Sequence, residues 1–419
     1  MIIKNIHIMD PASGLNETGD IYISDGKIRR IVIGQKTASD AGGQSGSGSV
    51  QSADMNCNTA ADNDIIDGAG LVCAPGLVDV HVHFRDPGFT YKEDIESGAR
   101  AAAAGGFTSV VMMANTSPAI DNEETLRYVL DKAALQHIHV YTCADITMGL
   151  KGMTLTDMEK LKELGAVGFT DDGIPIKDPQ ICREAMELAG RLHMPLSAAS
   201  EYYGVGGSPR EAEIRMIERD IHIAAKLADD TDESDTSSPV CPDIVIQHIS
   251  SAEGVALVRQ ARRSNPHIHA EATPHHFSLT EQALIMYGTM AKMNPPLRTE
   301  ADRLAIIEGL RDGTIELIST DHAPHSSEEK ERPITEAPSG IIGLETSLAL
   351  GITNLTEIQD WIGEKNNEKQ SDTSKLTPLE LLKKMTVNPA SLYGLDAGRI
   401  YEGGPADLVI FDPSEEWIV

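Results

Sequence analysis

Residues 77–83 read LVDVHVH, a short apolar run that ends in two histidines. Seven more segments along the chain have the same apolar character, and helical patterns lie between most of them. The eight candidate strands are Leu77–His83, Thr108–Asn115, His139–Asp145, Ala166–Asp172, Met194–Ser200, Asp243–Ser250, Ile268–His276 and Ile315–His322. Eight strands that alternate with helices favour an α/β fold, a closed (β/α)8 barrel of the TIM type, over an open doubly wound sheet.

Start and stop signals of helices support this alternation. Thr156 and Glu159 form a capping-box pattern before an apolar stripe, and Gly165 is placed to end that helix. Asp178 and Pro179 have the residue types of an N-cap and a first helical position. Helices are therefore expected in the connections between the strands.

The two ends of the chain have a different pattern. Residues 1–35 contain short candidate strands separated by turns, and residues 406–412 (ADLVIFD) form another strand near the C-terminus. We expect both ends to meet in a small β-rich satellite domain beside the barrel. The predicted organisation places residues 1–67 and 391–419 in the satellite domain and residues 68–390 in the barrel.

Three polar segments interrupt the alternation of strands and helices. They are residues 37–64, 229–243 and 364–375, which are rich in small, polar and acidic residues. Their low hydrophobicity cannot compensate for the entropy lost on ordering, so we expect flexible surface insertions. Much of the acidic excess of the chain lies in or near them.

Composition excludes several classes of protein. The 419-residue chain has 35 Lys and Arg against 64 Asp and Glu, a net charge of -29, which disfavours nucleic-acid binding. Five scattered cysteines form no C-x-x-C pair, which is typical of a reducing compartment. There is no signal-peptide pattern and no apolar run of about 18–20 residues. We therefore expect a cytoplasmic protein that binds neither nucleic acid nor a membrane.

Histidines and aspartates collect at the ends of the candidate strands, where a barrel carries its active site. They are His81 and His83 on strand one, Asp171 and Asp172 on strand four, His248 on strand six, His275 and His276 on strand seven, and Asp321 and His322 on strand eight. Any one of these histidines alone is more often a hydrogen-bonded core residue. Their conjunction predicts a site for zinc or another divalent metal, since neutral imidazole and carboxylate are its ligands.

Two further residues suggest a reaction at this metal. A metal that activates water and polarises a carbonyl needs a base nearby, and Asp321 is placed to carry the proton to a leaving nitrogen. Arg85 follows the H-x-H motif and is expected to bind a substrate carboxylate, the alternative being a surface ion pair with Asp86 or Glu93. The residues alone predict metal-dependent hydrolysis of an amide-like bond in a small anionic substrate.

A set of longer motifs adds a family resemblance. They are DVHVHFRDPG (79–88), YKE (91–93), GGFT (105–108), NTSP (115–118), FTDDG (169–173), TPHH (273–276), KMNPPLR (292–298) and TDHAPH (320–325). In this order, and from about Leu71 to Glu345, the chain resembles the type I dihydroorotases of the amidohydrolase superfamily. H-x-H alone marks only the superfamily, whereas the combination of these motifs is far more specific.

The resemblance implies reversible cyclisation of N-carbamoyl-L-aspartate to L-dihydroorotate in pyrimidine biosynthesis, with one or two Zn²⁺ per chain. The implied metal ligands are His81, His83, Asp172, His248 and Asp321. Asp321 is also the implied catalytic acid and base. The implied substrate-binding residues are Arg85, Asn115, Asn294 and His325. Residues 338–343 (PSGIIG) match the segment that lies over the substrate in this family.

The sequence departs from the family pattern after strand five. Ala199 stands where the family has a metal-binding histidine, and a methyl group cannot bind metal, so the second metal site is expected to be weakened. Glu201 is a candidate substitute oxygen ligand. The family's chains also continue beyond the position matched by Val419, which raises the question of truncation.

These departures keep two alternatives open. One is a non-catalytic barrel that serves as a scaffold, with aspartate transcarbamoylase as partner. The other is a different cyclic amidase, resembling a hydantoinase or an allantoinase. A homodimer is a further partner hypothesis. The retained His81, His83, Arg85 and Asp321 favour the active dihydroorotase.

Overall fold

The computed structural model describes residues 1–34, 64–198, 209–230, 240–361, 375–416 and 418. Ala199 and Glu201 lie outside the described residues, as does most of each polar insertion that we expected to be flexible. The predictions made for these positions are therefore not tested by the structure.

Strands and helices alternate along most of the described chain. The strands are β1 (Ile2–Asp10), β2 (Leu15–Ser24), β3 (Lys27–Ile33), β4 (Ile65–Asp67), β5 (Val72–Pro75), β6 (Leu77–Val82), β7 (Phe107–Met112), β8 (His139–Thr142), β9 (Phe169–Thr170), β10 (Leu196–Ala198), β11 (Ile244–Ile246), β12 (Ile268–Ala272), β13 (Leu317–Ile318) and β14 (Leu408–Phe411). The α-helices are α1 (Ile95–Ala104), α2 (Glu123–Ala133), α3 (Met158–Leu164), α4 (Pro179–Arg191), α5 (Arg210–Asp230), α6 (Ala252–Ala261), α7 (Pro274–Ser278), α8 (Gln282–Tyr287), α9 (Glu300–Arg311), α10 (Ser327–Lys330), α11 (Ser347–Leu355), α12 (Ile358–Trp361), α13 (Pro378–Met385) and α14 (Val387–Leu392).

The strands from β6 to β13 form a closed parallel barrel. One sheet contains β6, β7 and β8, and a second contains β9 to β13, each in sequence order. Backbone bridges join the two sheets at both junctions, between Ala144 and Phe169 and between Val82 and His322. The amide of His83 also donates to the carbonyl of His322 at 2.8 Å. The predicted (β/α)8 barrel is confirmed, at the eight positions that the sequence indicated.

Burial explains why these short strands could be recognised. All residues of β6 and β11 are buried. Strands covered on both faces have continuous apolar sequences, because both the barrel interior and the surrounding helices exclude water. Residues that react with a bound molecule are therefore expected beyond the ends of the strands rather than within them.

The helix signals were mostly correct, with one exception. Asp178 caps α4, Pro179 is its first residue, and Gly165 ends α3 with a φ of 118°, a conformation that favours glycine. The N-cap of α3, however, is Asp157 and not Thr156. Thr156 instead donates its hydroxyl hydrogen to the backbone carbonyl of Asp145, three residues after the end of β8, which joins this loop to the top of the barrel.

The prediction that strand seven extends to His275 and His276 is wrong. β12 ends at Ala272, and both histidines lie in α7, which begins at Pro274 after the N-cap Thr273. Proline has no amide hydrogen for a strand ladder, but it fits the first turn of a helix. The proline therefore ends the strand and starts the helix.

The two chain ends meet in a separate sheet, as predicted. Its strand order is β14-β5-β1-β2-β3, with β4 paired to β1. β14 pairs antiparallel with β5, so the C-terminal strand lies beside the strand that precedes the barrel. β5 belongs to this sheet although residues 72–75 fall in the range predicted for the barrel. The exact domain boundaries stay a prediction.

The longest helix of the described chain is α5, with 21 residues. It carries charged residues along its whole length. None of the helices in the described ranges combines the length and the apolar character that crossing a membrane requires.

Candidate metal centre

Four side chains meet at the C-terminal ends of three barrel strands. His81 lies in β6 and His83 directly follows it, whereas Asp172 follows β9 and Asp321 follows β13. The Nε2 atom of His83 lies 3.0 Å from Asp321 Oδ1 and 3.5 Å from Asp172 Oδ2. The Nε2 atom of His81 lies 3.5 Å from Asp172 Oδ1 and 3.6 Å from Asp321 Oδ1. These four residues, all buried, are named the first cluster.

A second cluster shares two of these residues. It consists of His81, Asp172 and His248, each of which offers one ligand atom within 4.8 Å of the others. His248 follows β11, and its Nε2 atom lies 3.9 Å from Asp172 Oδ1. The rings of His81 and His248 have centroids 5.1 Å apart. Asp172 thus lies between the two clusters.

The spacing within the first cluster suits a divalent metal ion. Two ligands that each bind zinc at 2.0–2.2 Å with a tetrahedral angle lie about 3.4 Å apart. The distances between imidazole and carboxylate atoms are 3.0–3.6 Å. The buried Nε2 atom of His81 makes no hydrogen bond with any described residue, so its lone pair is available to a metal. The four residues of the first cluster therefore fit a divalent metal ion such as zinc, which their imidazole and carboxylate groups suggested.

Glu271 is a component of the site that sequence reasoning missed. Its Oε1 atom lies 2.5 Å from His81 Nδ1 and accepts the backbone N–H of His248 at 3.1 Å. This carboxylate fixes the proton of His81 on Nδ1 and leaves Nε2 for the metal. The sequence did contain a signal for Glu271, because a glutamate within an apolar strand needs a polar partner. A buried carboxylate without one is energetically costly.

The electrostatics of the cluster keep its carboxylates ionised. Burial would raise the pKa of Asp172, but the neighbouring His81, His83 and His248 outweigh it and lower this pKa to about 2. The same histidines outweigh burial at Asp321 and hold the pKa of its carboxyl below the usual value. Both aspartates therefore present negative oxygens, as metal ligands must.

Several site residues have a strained backbone. The φ angles of Arg85, His248 and Asp321 are 60°, 31° and 47°, in the left-handed region that residues with a side chain rarely adopt. Such conformations persist where the surrounding structure holds them, and they cluster at functional sites. Here they occur directly after barrel strands, at the turns that aim these side chains.

Arg85 lies in the loop after β6 and is partly buried. The two acidic residues that sequence reasoning considered as its surface partners are occupied elsewhere. Asp86 accepts a hydrogen bond from Lys132 at 2.7 Å, and Glu93 lies 3.0 Å from His322 Nε2. Within the described chain, Arg85 forms an ion pair with neither of them.

Asn115 lies between two residues of the first cluster. Its Oδ1 atom is 3.0 Å from His83 Nδ1, and its Nδ2 donates to Asp172 Oδ2 at 2.9 Å. The amide therefore orients an imidazole and a carboxylate at once. Its predicted contact with the substrate stays a prediction.

His325 and Asn294 both lie in loops, His325 after β13 and Asn294 before α9. The Nε2 atom of His325 donates to the carbonyl of Ser339 at 2.8 Å, and its Nδ1 lies 3.2 Å from Lys92 Nζ. Burial and the nearby cations Arg85 and Lys92 lower the pKa of His325 to about 4, so its ring is neutral. Asn294 is partly buried. Their roles in substrate binding stay predictions.

The two histidines of α7 are buried close to the site but serve it differently. His276 bonds through Nδ1 to the hydroxyl of Thr273 at 2.7 Å and through Nε2 to the carbonyl of Pro295 at 3.0 Å. It therefore supports the loop that carries the KMNPPLR motif. His275 packs against His276 with ring centroids 4.5 Å apart and belongs to neither cluster.

Comparisons with known proteins agree with this geometry. A family model described as the amidohydrolase family matches residues 72–418. The chain is 47% identical over 437 aligned residues to a dihydroorotase of Clostridioides difficile (strain 630), covering 100% of this chain and 92% of that protein. It is 44% identical to a dihydroorotase of Streptococcus pneumoniae serotype 4 (strain ATCC BAA-334 / TIGR4), with the same coverage.

Solved structures show the same architecture. An L-hydantoinase from Arthrobacter aurescens matches with a TM-score of 0.74 at 22% identity, over 97% of this chain and 85% of that one. A D-hydantoinase from Thermus sp. matches with a TM-score of 0.72 at 20% identity, over 99% and 86%. Identities this low establish the fold and not the substrate.

Proposed function

This chain belongs to the amidohydrolase family, and we propose that it acts as a metal-dependent dihydroorotase, which interconverts N-carbamoyl-L-aspartate and L-dihydroorotate in de novo pyrimidine biosynthesis. The observation that carries this proposal is the first cluster, whose buried imidazole and carboxylate atoms lie 3.0–3.6 Å apart. The 47% identity to a dihydroorotase along the full chain supports the choice of substrate.

The proposed metal is zinc. His81, His83, Asp172 and Asp321 would hold one ion, and His248 together with Asp172 would hold a second. When bound, such an ion lowers the pKa of water toward neutrality and polarises the substrate carbonyl. We expect one firmly held ion per chain, because the side chain at position 199, an alanine, has no atom that could bind the second.

Asp321 is the proposed acid and base. Its carboxylate is buried, is kept ionised by the surrounding histidines and lies 3.0 Å from His83 Nε2. In the hydrolytic direction it takes a proton from the attacking water and gives it to the ring nitrogen as the amide C–N bond breaks. Ring closure uses the same transfer in reverse, from the carbamoyl nitrogen to the departing water.

Arg85, Asn115, Asn294 and His325 are the proposed substrate-binding residues. A net charge of -29 repels an anionic substrate, so a local cation is required. The planar guanidinium of Arg85 can hold a carboxylate through two parallel hydrogen bonds. Asn294 offers amide hydrogen bonds suited to the amide groups of the ring. The ring nitrogens of His325 bond to Ser339 and Lys92, so its proposed contact with the substrate is made through the face of the ring.

The experiment that tests this function is hydrolysis of dihydroorotate by the purified, zinc-supplemented protein. The Asp321→Asn variant serves as the control, with hydantoin and allantoin as competing substrates and metal content measured on the same samples. We expect turnover of dihydroorotate, absent in the variant, with about one zinc per chain.

Two results would contradict the proposal. A folded, zinc-loaded protein without turnover would favour the scaffold alternative, and its binding to aspartate transcarbamoylase would then be measured. Turnover of hydantoin or allantoin without dihydroorotate would favour another cyclic amidase, although the hydantoinase structures share only 22% identity or less with this chain.

A cytoplasmic location accompanies this function in our proposal. It is supported by the free thiols of the described chain, which are Cys73, Cys143, Cys182 and Cys241, all buried. Unpaired cysteines are usual in reducing compartments. A homodimer and an association with aspartate transcarbamoylase stay predictions.

A further inference from the structure

A buried lysine lies beside the segment expected to cover the substrate. Lys330 is the last residue of α10 and is only 6% exposed. Its Nζ donates to the backbone carbonyls of Lys292 at 3.2 Å, Pro338 at 3.3 Å and Gly340 at 2.8 Å. An ammonium has three N–H bonds, so these three acceptors match its donors one for one.

One carbonyl belongs to the loop that carries Asn294, and the other two belong to the segment of residues 338–340, which contacts His325. Lys292 lies two positions before Asn294. Pro338 and Gly340 flank a serine whose carbonyl accepts the Nε2 hydrogen of His325 at 2.8 Å. Lys330 therefore bonds to the backbone on both sides of Ser339, and the carbonyl of Ser339 orients His325.

We propose that Lys330 is a positioning residue, which holds the loop of Asn294 and the segment that contacts His325 in a fixed relation to each other. This inference rests on the proposed function only in naming the substrate. Lys330 itself touches no reacting group; it acts through the backbone of residues 338–340 and of Lys292. Its loss removes three of the hydrogen bonds that fix these segments and leaves the backbone hydrogen bond from Gly340 to the carbonyl of Lys292 at 3.0 Å. The segment of residues 338–340 then becomes more mobile, which weakens substrate binding more than the chemical step.

The close packing of Gly340 explains why such movement would reach His325. A Cβ atom at this position would lie 2.4 Å from the carbonyl oxygen of Ala323 and 2.8 Å from His325 Cδ2. The φ of Gly340 is 147°, which side-chain-bearing residues rarely adopt. Residues 338–340 thus lie directly against the imidazole of His325. A movement of this segment would therefore displace His325 as well.

Lysine is the residue type that this arrangement requires. Its ammonium points three hydrogens in different directions at the end of a flexible stem, whereas the guanidinium of arginine is a planar fork. A second lysine, Lys292, supports the same segment with donations to the carbonyls of Ile334 and Ala337, both at 2.6 Å. Residues 334–340 are therefore fixed mainly through their carbonyls.

Lys384 provides a matched control. It is also 6% exposed and donates to a backbone carbonyl, that of Ile315, at 2.8 Å. Ile315 precedes β13, whereas Asp321 follows it, so Lys384 lies at the opposite end of the barrel from the site. Replacing either lysine removes a buried ammonium. Only the replacement of Lys330 removes hydrogen bonds to residues 292 and 338–340.

The test compares Lys330→Met with Lys384→Met in the zinc-loaded enzyme. We expect Lys330→Met to raise KM for dihydroorotate about tenfold or more with a much smaller change in kcat. Lys384→Met should leave KM unchanged, although both variants lose thermal stability. Hydrogen exchange of residues 331–343 should accelerate in Lys330→Met alone. Equal KM values in both variants, or unchanged exchange in this segment, would overturn the inference.

The design separates this inference from the proposed function. If the wild-type enzyme does not turn over dihydroorotate, the proposed function fails, and hydrogen exchange still decides the role of Lys330. If Lys330→Met does not fold, Lys330→Arg takes its place, because it keeps the charge while its planar fork cannot meet all three carbonyls. An unchanged KM and unchanged exchange in that variant would contradict the proposal.

Discussion

His81 Nδ1 and Glu271 Oε1 lie 2.5 Å apart beneath the candidate metal centre, and both side chains are only 1% exposed. Glu271 also accepts the amide of His248, so one carboxylate sets the orientation of residues from both clusters. Because the pair joins residues 190 positions apart in the sequence, it exists only in the closed barrel.

We expect Glu271→Gln to weaken zinc binding about 10–100-fold, because the neutral amide orients His81 less firmly and makes it a poorer ligand. Competition with a chromophoric chelator measures this affinity. Asp302→Asn is the control, since Asp302 is a buried carboxylate paired with Arg210 on the outer helices. Equal zinc affinities in both variants would show that Glu271 has only a structural role.

Asp321→Asn should lower turnover about 10²–10⁴-fold while the protein stays folded. Asparagine is chosen because it tolerates the φ of 47° at this position better than other residues of similar size. The change removes the proposed proton acceptor and a proposed metal ligand together. Steady-state hydrolysis, with circular dichroism to verify folding, checks the prediction; retained activity would reassign the base.

Arg85→Lys should raise KM for dihydroorotate about 10–100-fold with a small effect on kcat, because lysine keeps the charge but loses the two parallel hydrogen bonds. Arg100→Lys is the matched control, since Arg100 forms an exposed ion pair with Glu96 on α1. If both variants have the wild-type KM, another group must hold the substrate carboxylate.

Ala199→His tests the departure from the family pattern at a position outside the described residues. A histidine there should raise the zinc content from about one to about two ions per chain, since an imidazole supplies the ligand that a methyl group cannot. Mass spectrometry of metal content after dialysis measures the ratio. An unchanged ratio would mean that the second site lacks more than this ligand.

The stability of the protein should depend on pH through His269. Burial lowers its pKa, but hydrogen bonds with Asp243 and Glu316 outweigh burial and raise it to about 9 from 6.5. A raised histidine pKa stabilises the fold fully below pH 6.5, and this contribution is lost as pH rises toward 9. We expect a loss of about 2 kcal/mol over that range.

His269→Gln removes this titration. The variant should be less stable than the wild type at pH 6, and its stability should change less between pH 6.5 and 9. Urea unfolding at several pH values provides the comparison. Parallel pH profiles for the two proteins would assign the dependence to other groups.

Much of the site could be predicted because barrel geometry places strand ends together. His81, His83, Asp172 and Asp321 were among nine residues selected from their positions after apolar runs, and the family resemblance then distinguished the ligands, for example Asp172 from Asp171. The structure brings the ligand atoms of these four within 3.0–3.6 Å. Period and composition suffice to find the candidates, since all parallel strands of a barrel end on one face.

Partners of polar side chains could not be predicted in the same way. The amide of Asn115 lies between His83 and Asp172, and the ring of His325 is bonded to Ser339. Such contacts depend on distances between loops that are remote in sequence. The strand-to-helix change at Pro274 was visible in the sequence, but the apolar and histidine pattern around it favoured a longer strand.

The barrel is closed by a bridge between its first and last strands, and the same closure joins His83 to Asp321 across 238 positions. A growing polypeptide therefore contains His81 and His83 long before Asp321, the last of the proposed ligands, has been made. Metal binding depends on ligands that the unfolded chain does not bring together. Binding of the proposed metal would therefore require the closed barrel, after residue 321 has been made and folded.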